Sequence, residues 1–146
     1  MTNSLGPDDR DLVGLNVLMV DDEPTALRLV QGILYDTGAA VVTTASDGRE
    51  ALQFLASCET LPDVIICDWS MPRMSGLELL RLVRARHPDL PFLMLTGSAD
   101  LASVVEAKQN GVSGYIRKPF TRDELLKKMR VVARIKSFRA PQRFAS

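Results

Sequence analysis

Five polar residues stand at or just beyond the ends of short apolar runs: Asp21 and Asp22 after VLMV, Asp68 after VIIC, Thr96 after FLML, and Lys118 shortly after GYI. In an open parallel α/β sheet, ligands bind outside the carboxyl ends of the strands. If these runs are neighbouring strands, three carboxylates, one hydroxyl and one ammonium meet on a single rim. Crowded carboxylates repel, and the outcome is a raised pKa or a bound cation. An all-oxygen ligand set that keeps some water suits Mg²⁺. A divalent ion together with a lysine would neutralise the oxygens of a transferring phosphoryl group, and Thr96 could hydrogen-bond the same group. The chemistry this set suits is attack by an aspartate on phosphorus, giving an acyl phosphate. Asp68 is the expected nucleophile, because it follows the most thoroughly apolar run and lies between the Asp pair and the lysine in any plausible strand order.

The elements that must hold these residues are legible as an alternation of short apolar runs with stretches of helical spacing, repeated five times. Strands are predicted at 15–20, 39–44, 64–67, 92–95 and 113–116. The second is partly polar, as an edge strand is, whereas the third and fourth are apolar throughout, as parallel strands covered on both faces are. Pro24 sits where a helix begins. Asp47-x-x-Glu50, Ser75-x-x-Glu78 and Thr121-x-x-Glu124 read as capping boxes opening the second, third and fifth helices. Gly38 and Gly111 end the first and fourth, and Leu125, Met129, Val132 and Ile135 form the inward stripe of the last. Five β-α units with short links imply right-handed crossovers and a doubly wound parallel sheet of the α/β class. Residues 1–14 read as a polar leader, 15–137 as one domain and 138–146 as a tail containing Pro141.

Composition narrows the function classes. The 146 residues carry 18 Lys and Arg against 18 Asp and Glu, a net charge of zero, and 46% are hydrophobic. A chain of this size buries about 70% of its unfolded surface and needs no staples. Cys58 and Cys67 stand alone, which excludes a zinc ribbon or a secreted disulfide framework and fits a reducing cytoplasm. No apolar run exceeds four residues, so no membrane span is expected, and the N-terminus lacks an apolar signal core. Zero net charge argues against coating nucleic acid as the main task.

VLMVDDEP, VIICDWSMPRMSG, FLMLTGSA and GYIRKPF, in this order and spacing, resemble the receiver domain of bacterial two-component response regulators, the CheY-like family. Each piece alone is weak and the joint match is specific. The resemblance implies a flavodoxin-like, five-stranded parallel sheet of order 2-1-3-4-5 with five helices. It implies that Asp68 accepts a phosphoryl group from the phosphohistidine of a sensor histidine kinase or histidine phosphotransfer protein. Asp22 would ligate Mg²⁺ directly, Asp21 through water, and the backbone carbonyl of Ser70 would complete the protein ligands beside Asp68. Lys118 would contact the phosphoryl group, with its bond to Pro119 cis. Thr96 and Tyr115 would be the switch pair, altering affinity for a downstream protein through the face of the fourth helix, fifth strand and fifth helix. Ser70 and Ser98, two residues beyond Asp68 and Thr96, occupy positions that tune how fast water removes the phosphoryl group. With only a tail after the fifth helix, the chain is expected to act as a stand-alone receiver, a signalling protein that catalyses only its own phosphorylation and dephosphorylation.

Competing readings are separable on the residues. A magnesium phosphohydrolase of the haloacid dehalogenase type also uses an aspartyl phosphate, but wants D-x-D and a cap domain where this chain has an adjacent pair and no cap. A flavodoxin-like FMN binder wants a Ser, Thr and Gly-rich loop where D-D-E-P stands. Trp69 covers the rim and offers a reporter; His87, at a helix end away from the rim, is expected to be exposed and outside the chemistry. Beyond Glu124 come seven basic residues and no acidic one. They read first as a solvated helix face and second as a dock for an acidic partner or a contact with nucleic acid, and the Val131, Val132 and Ile135 stretch beside them leaves apolar surface for a homodimer contact.

Overall fold

The computed structural model describes residues 12–39, 41–97 and 101–139. The alternation read from the sequence appears as β1 (Asn16–Val20), α1 (Pro24–Asp36), β2 (Val41–Ala45), α2 (Gly48–Ser57), β3 (Val64–Asp68), α3 (Gly76–Arg86), β4 (Phe92–Thr96), α4 (Leu101–Gln109), β5 (Gly114–Arg117) and α5 (Arg122–Arg139). The sheet is parallel throughout, with strand order β2-β1-β3-β4-β5. The partly polar second run is an edge strand, and the two all-apolar runs, β3 and β4, lie inside the sheet, buried at every position.

Side chains on a strand alternate between faces, and the core divides accordingly. Val17, Met19, Val64, Ile66, Leu93, Leu95 and Ile116 pack on one side with Val30 and Leu34 of α1 and Leu125, Met129 and Val132 of α5. Leu18, Val20, Ile65, Cys67, Phe92 and Met94 pack on the other with α2 and α3. The Ser75 and Thr121 boxes are reciprocal, the hydroxyl accepting from the N–H of Glu78 or Glu124 and that glutamate accepting from the N–H of the capping residue. At α2 the box is half-formed: Asp47 accepts from the Glu50 N–H at 2.7 Å, while Glu50 reaches one residue further back, to the Ser46 N–H.

Several boundaries differ from expectation for identifiable reasons. β2 starts at Val41 rather than 39, because the Ala39 N–H still bonds the Leu34 carbonyl and closes the end of α1. β3 and β4 each run one residue further, to Asp68 and Thr96, because ladder hydrogen bonds continue past the last apolar side chain. Leu12, counted with the polar leader, is 1% exposed and packs with Leu15, Val30 and Leu34, and the Gly14 N–H donates to the Gly38 carbonyl at 2.9 Å. Residues 12–14 therefore belong to the packed body rather than to a leader. α5 likewise continues to Arg139, past the expected boundary at 137. Residues 1–11, 140–146, Ser98 and the side chain of Ile135 lie outside the described residues.

Candidate functional site

Register decides which strand-end side chains meet. Val20 is paired with Cys67, so Asp21 and Asp68 stand level on adjacent strands. Asp21 continues the Val17–Met19 parity and Asp68 the Val64–Ile66 parity, so both carboxylates turn toward the same side of the sheet. Lys118 shares the parity of Ile116 and arrives on that side from the far edge. Backbone bonds fix the rim: the Asp21 N–H donates to the Ala45 carbonyl, Trp69 to Leu95 and Lys118 to Thr96. The Lys118–Pro119 peptide bond is cis.

The Lys118 Nζ donates to Asp68 Oδ1 at 2.8 Å and lies 3.5 Å from Asp21 Oδ2. Asp21 is fully buried and Asp68 8% exposed, whereas Asp22 is exposed. Asp21 Oδ1 also accepts from the N–H of Glu23, the residue capping α1, at 2.9 Å. Asp21 thus braces the start of α1 as well as facing the site. Ligand oxygens of Asp21, Asp22 and Asp68 all lie within 4.8 Å of one another. An all-carboxylate set with one exposed member fits a hard, partly hydrated cation such as Mg²⁺.

Electrostatics report the crowding. Burial pushes the Asp68 carboxyl up; the Lys118 hydrogen bond and charge draw it part of the way back, while Asp21 and Asp22 push it further. Burial pulls Lys118 down, but the Asp68 hydrogen bond and the Asp68 and Asp21 charges outweigh it, and the ammonium is held above its ordinary value. The Asp68 shift is thus first a cost of burial, to which the neighbouring acids add, and the Lys118 shift shows the pull of those acids on the one ammonium. Cys67, buried beside these acids, is an inert thiol: burial and then the Asp68 charge raise it well above its usual value.

Thr96 has the opposite parity. It is buried, and with Trp69, Met94, Val104, Ala107 and Tyr115 it lines a narrow cleft between the sheet and α4. The rim therefore has two sides, acids and lysine on one and Thr96, Trp69 and Tyr115 on the other, joined through the backbone of 68–69 and 95–96. Ser70 is exposed on the loop after β3. His87, expected exposed, is half-buried and lines a groove between α2 and α3 at the other end of the helices.

Nothing in the spacing singles out Gly76, the first residue of α3. A Cβ there would collide with the Asp68 carbonyl oxygen and fall 2.9 Å from the Met94 Sδ, so only glycine lets α3 begin against the end of β3. The Gly76 N–H donates to the Trp69 carbonyl at 2.7 Å, tying the loop down directly behind Asp68.

Comparison with known proteins gives a consistent picture. The profile of the response regulator receiver domain matches residues 17–130. Chemotaxis protein CheY of Pseudomonas aeruginosa is 42% identical over 117 residues, covering 79% of this chain and 93% of that protein. CheY-3 of Vibrio cholerae is 40% identical, over 79% of this chain and 88% of its own length. Among solved structures, CheY4 of Vibrio cholerae superposes with a TM-score of 0.73 at 39% identity, covering 80% of this chain and 96% of that one. A receiver domain protein of Clostridium thermocellum reaches 0.76 at 33% identity, over 84% and 96%.

Proposed function

We propose that this chain, which belongs to the response regulator receiver family, takes a phosphoryl group onto Asp68 from the phosphohistidine of a sensor histidine kinase or histidine phosphotransfer protein, in a Mg²⁺-dependent reaction. The observation that carries the reading is the cluster of Asp21, Asp22 and Asp68 oxygens within 4.8 Å of one another, with the Lys118 ammonium 2.8 Å from Asp68 Oδ1. Receivers of this family are signalling proteins, so the product is a state of the protein rather than a released metabolite.

A carboxylate oxygen of Asp68 attacks phosphorus as the bond to the imidazole nitrogen breaks, and the imidazole leaves with that electron pair. Asp22 and the Ser70 carbonyl would hold Mg²⁺ with Asp68, and Asp21 would act through water. The ion supplies charge neutralisation at the transferring oxygens. Lys118 orients the Asp68 carboxylate beforehand and contacts the phosphoryl oxygens afterwards. Thr96 offers its hydroxyl to the same group, and Tyr115 turns into the cleft that the movement opens. The α4, β5 and α5 face then changes its affinity for a downstream protein, a population shift driven by charge that one state satisfies better. Ser70 and Ser98 are small hydroxyls that leave water a path to phosphorus, which favours a moderate to short phosphoryl lifetime.

Trp69, half-buried next to Asp68 and the only tryptophan, reports on the site. In Mg²⁺, beryllofluoride should change Trp69 fluorescence saturably in the wild type and leave Asp68→Asn silent. An equal response in both proteins overturns the assignment, and steady release of inorganic phosphate from phosphorylated metabolites would instead mark a hydrolase.

A further inference from the structure

Tyr115 lies on β5, at the open edge of the sheet, with its ring packed on the α2–α3 side of the core beside Met94 and Trp69. α5 packs beneath the opposite side. Yet the exposed side chain of Lys128 on α5 reaches round that edge and places its Nζ 5.7 Å from the centroid of the Tyr115 ring. That distance is within the range at which an ammonium is attracted by a ring quadrupole. The ring therefore stands between a cation on α5 and the narrow cleft that leads to Thr96.

We propose that Lys128 is a positioning residue for Tyr115: its ammonium holds the ring toward α5 and so opposes the inward turn that accompanies modification of Asp68. The proposal rests on the reading of Thr96 and Tyr115 as the switch pair. It has a sign that distinguishes it from simple electrostatics. Removing a positive charge near an anion site weakens anion binding by Coulomb's law, whereas releasing the ring strengthens it by making the receptive state easier to reach.

The test uses the full chain labelled with 3-fluorotyrosine, whose two resonances, from Tyr35 and Tyr115, are assigned with Tyr35→Phe. In Lys128→Met the Tyr115 resonance of the free protein should move toward its beryllofluoride-saturated position. The apparent affinity for beryllofluoride in Mg²⁺ should tighten about two- to five-fold, the range expected of an exposed cation–ring contact. Lys128→Arg, which keeps the cation over the ring, should restore both wild-type values. An unmoved Tyr115 resonance, or weaker beryllofluoride binding in Lys128→Met, overturns the proposal. Should wild type fail to respond to beryllofluoride, the phosphoacceptor reading fails. The Tyr115 resonance in Asp68→Asn, with and without Lys128→Met, then still decides whether Lys128 places the ring.

Discussion

Asp68 is a charge that the folded chain holds at a cost. Burial raises its carboxyl pKa and Lys118 offsets only part of this, so the folded protein binds that proton more tightly than the unfolded chain. The sign follows by linkage: ionised Asp68 destabilises the metal-free fold, fully above its raised folded pKa and not at all below the ordinary carboxylate value. Metal-free Asp68→Asn should therefore melt above wild type at neutral pH, the gap closing as pH falls through the raised value, and Mg²⁺ should stabilise wild type selectively. Calorimetry over pH checks this, and a gap that widens on acidification contradicts it. The acids and the lysine were legible because each stands at the end of an apolar run, where strand-end geometry makes neighbours of residues 97 positions apart, as Asp21 and Lys118 are. Lys128 was not legible: helical spacing marks it as exposed, and nothing in the spacing says that its stem rounds a sheet edge to reach an aromatic ring.

Elements position the site through their ends. Three helix starts were readable from acids and hydroxyls three residues apart, and the structure forms two of those boxes in full. Strand ends were less readable, because apolar runs stop at the first polar side chain while backbone ladders continue past it, which is how the buried Asp68 and Thr96 come to lie inside β3 and β4. Gly76 shows what spacing misses altogether, since a close approach between α3 and the end of β3 leaves no periodic trace. Gly76→Ala must push α3 off the Asp68 carbonyl, and the Met94 side chain must give way as well. It should lower unfolding stability by about 1–3 kcal/mol, the usual range for forced overpacking, and weaken the beryllofluoride response as Asp68 shifts. Chemical denaturation read beside Trp69 fluorescence checks both effects, and an alanine variant with unchanged stability would show the contact to be slack.

At the scale of the molecule, alternation established a parallel sheet with helices on both sides, but not the order of its strands. The interior placement of β3 and β4 and the edge placement of β2 followed from apolar content; the full order came only through likeness to the receiver family, and it is the order observed. Leu12 shows no period of its own, since only Val13 adjoins it between Asp11 and Gly14, yet tertiary burial makes it core. No helix among the described residues is long and apolar enough to cross a membrane. The function depends on that global arrangement, since it brings Asp21, just after β1, and Asp68, at the end of β3, within reach of the one ammonium of Lys118, just after β5. The most direct measurement is intact-mass and peptide-mapping analysis after incubation with acetyl phosphate. Wild type in Mg²⁺ should gain a single phosphoryl group on Asp68, a gain absent when the metal is chelated beforehand and absent in Asp68→Asn. A phosphoryl group on any other residue, or uptake undiminished in Asp68→Asn, would contradict the assignment.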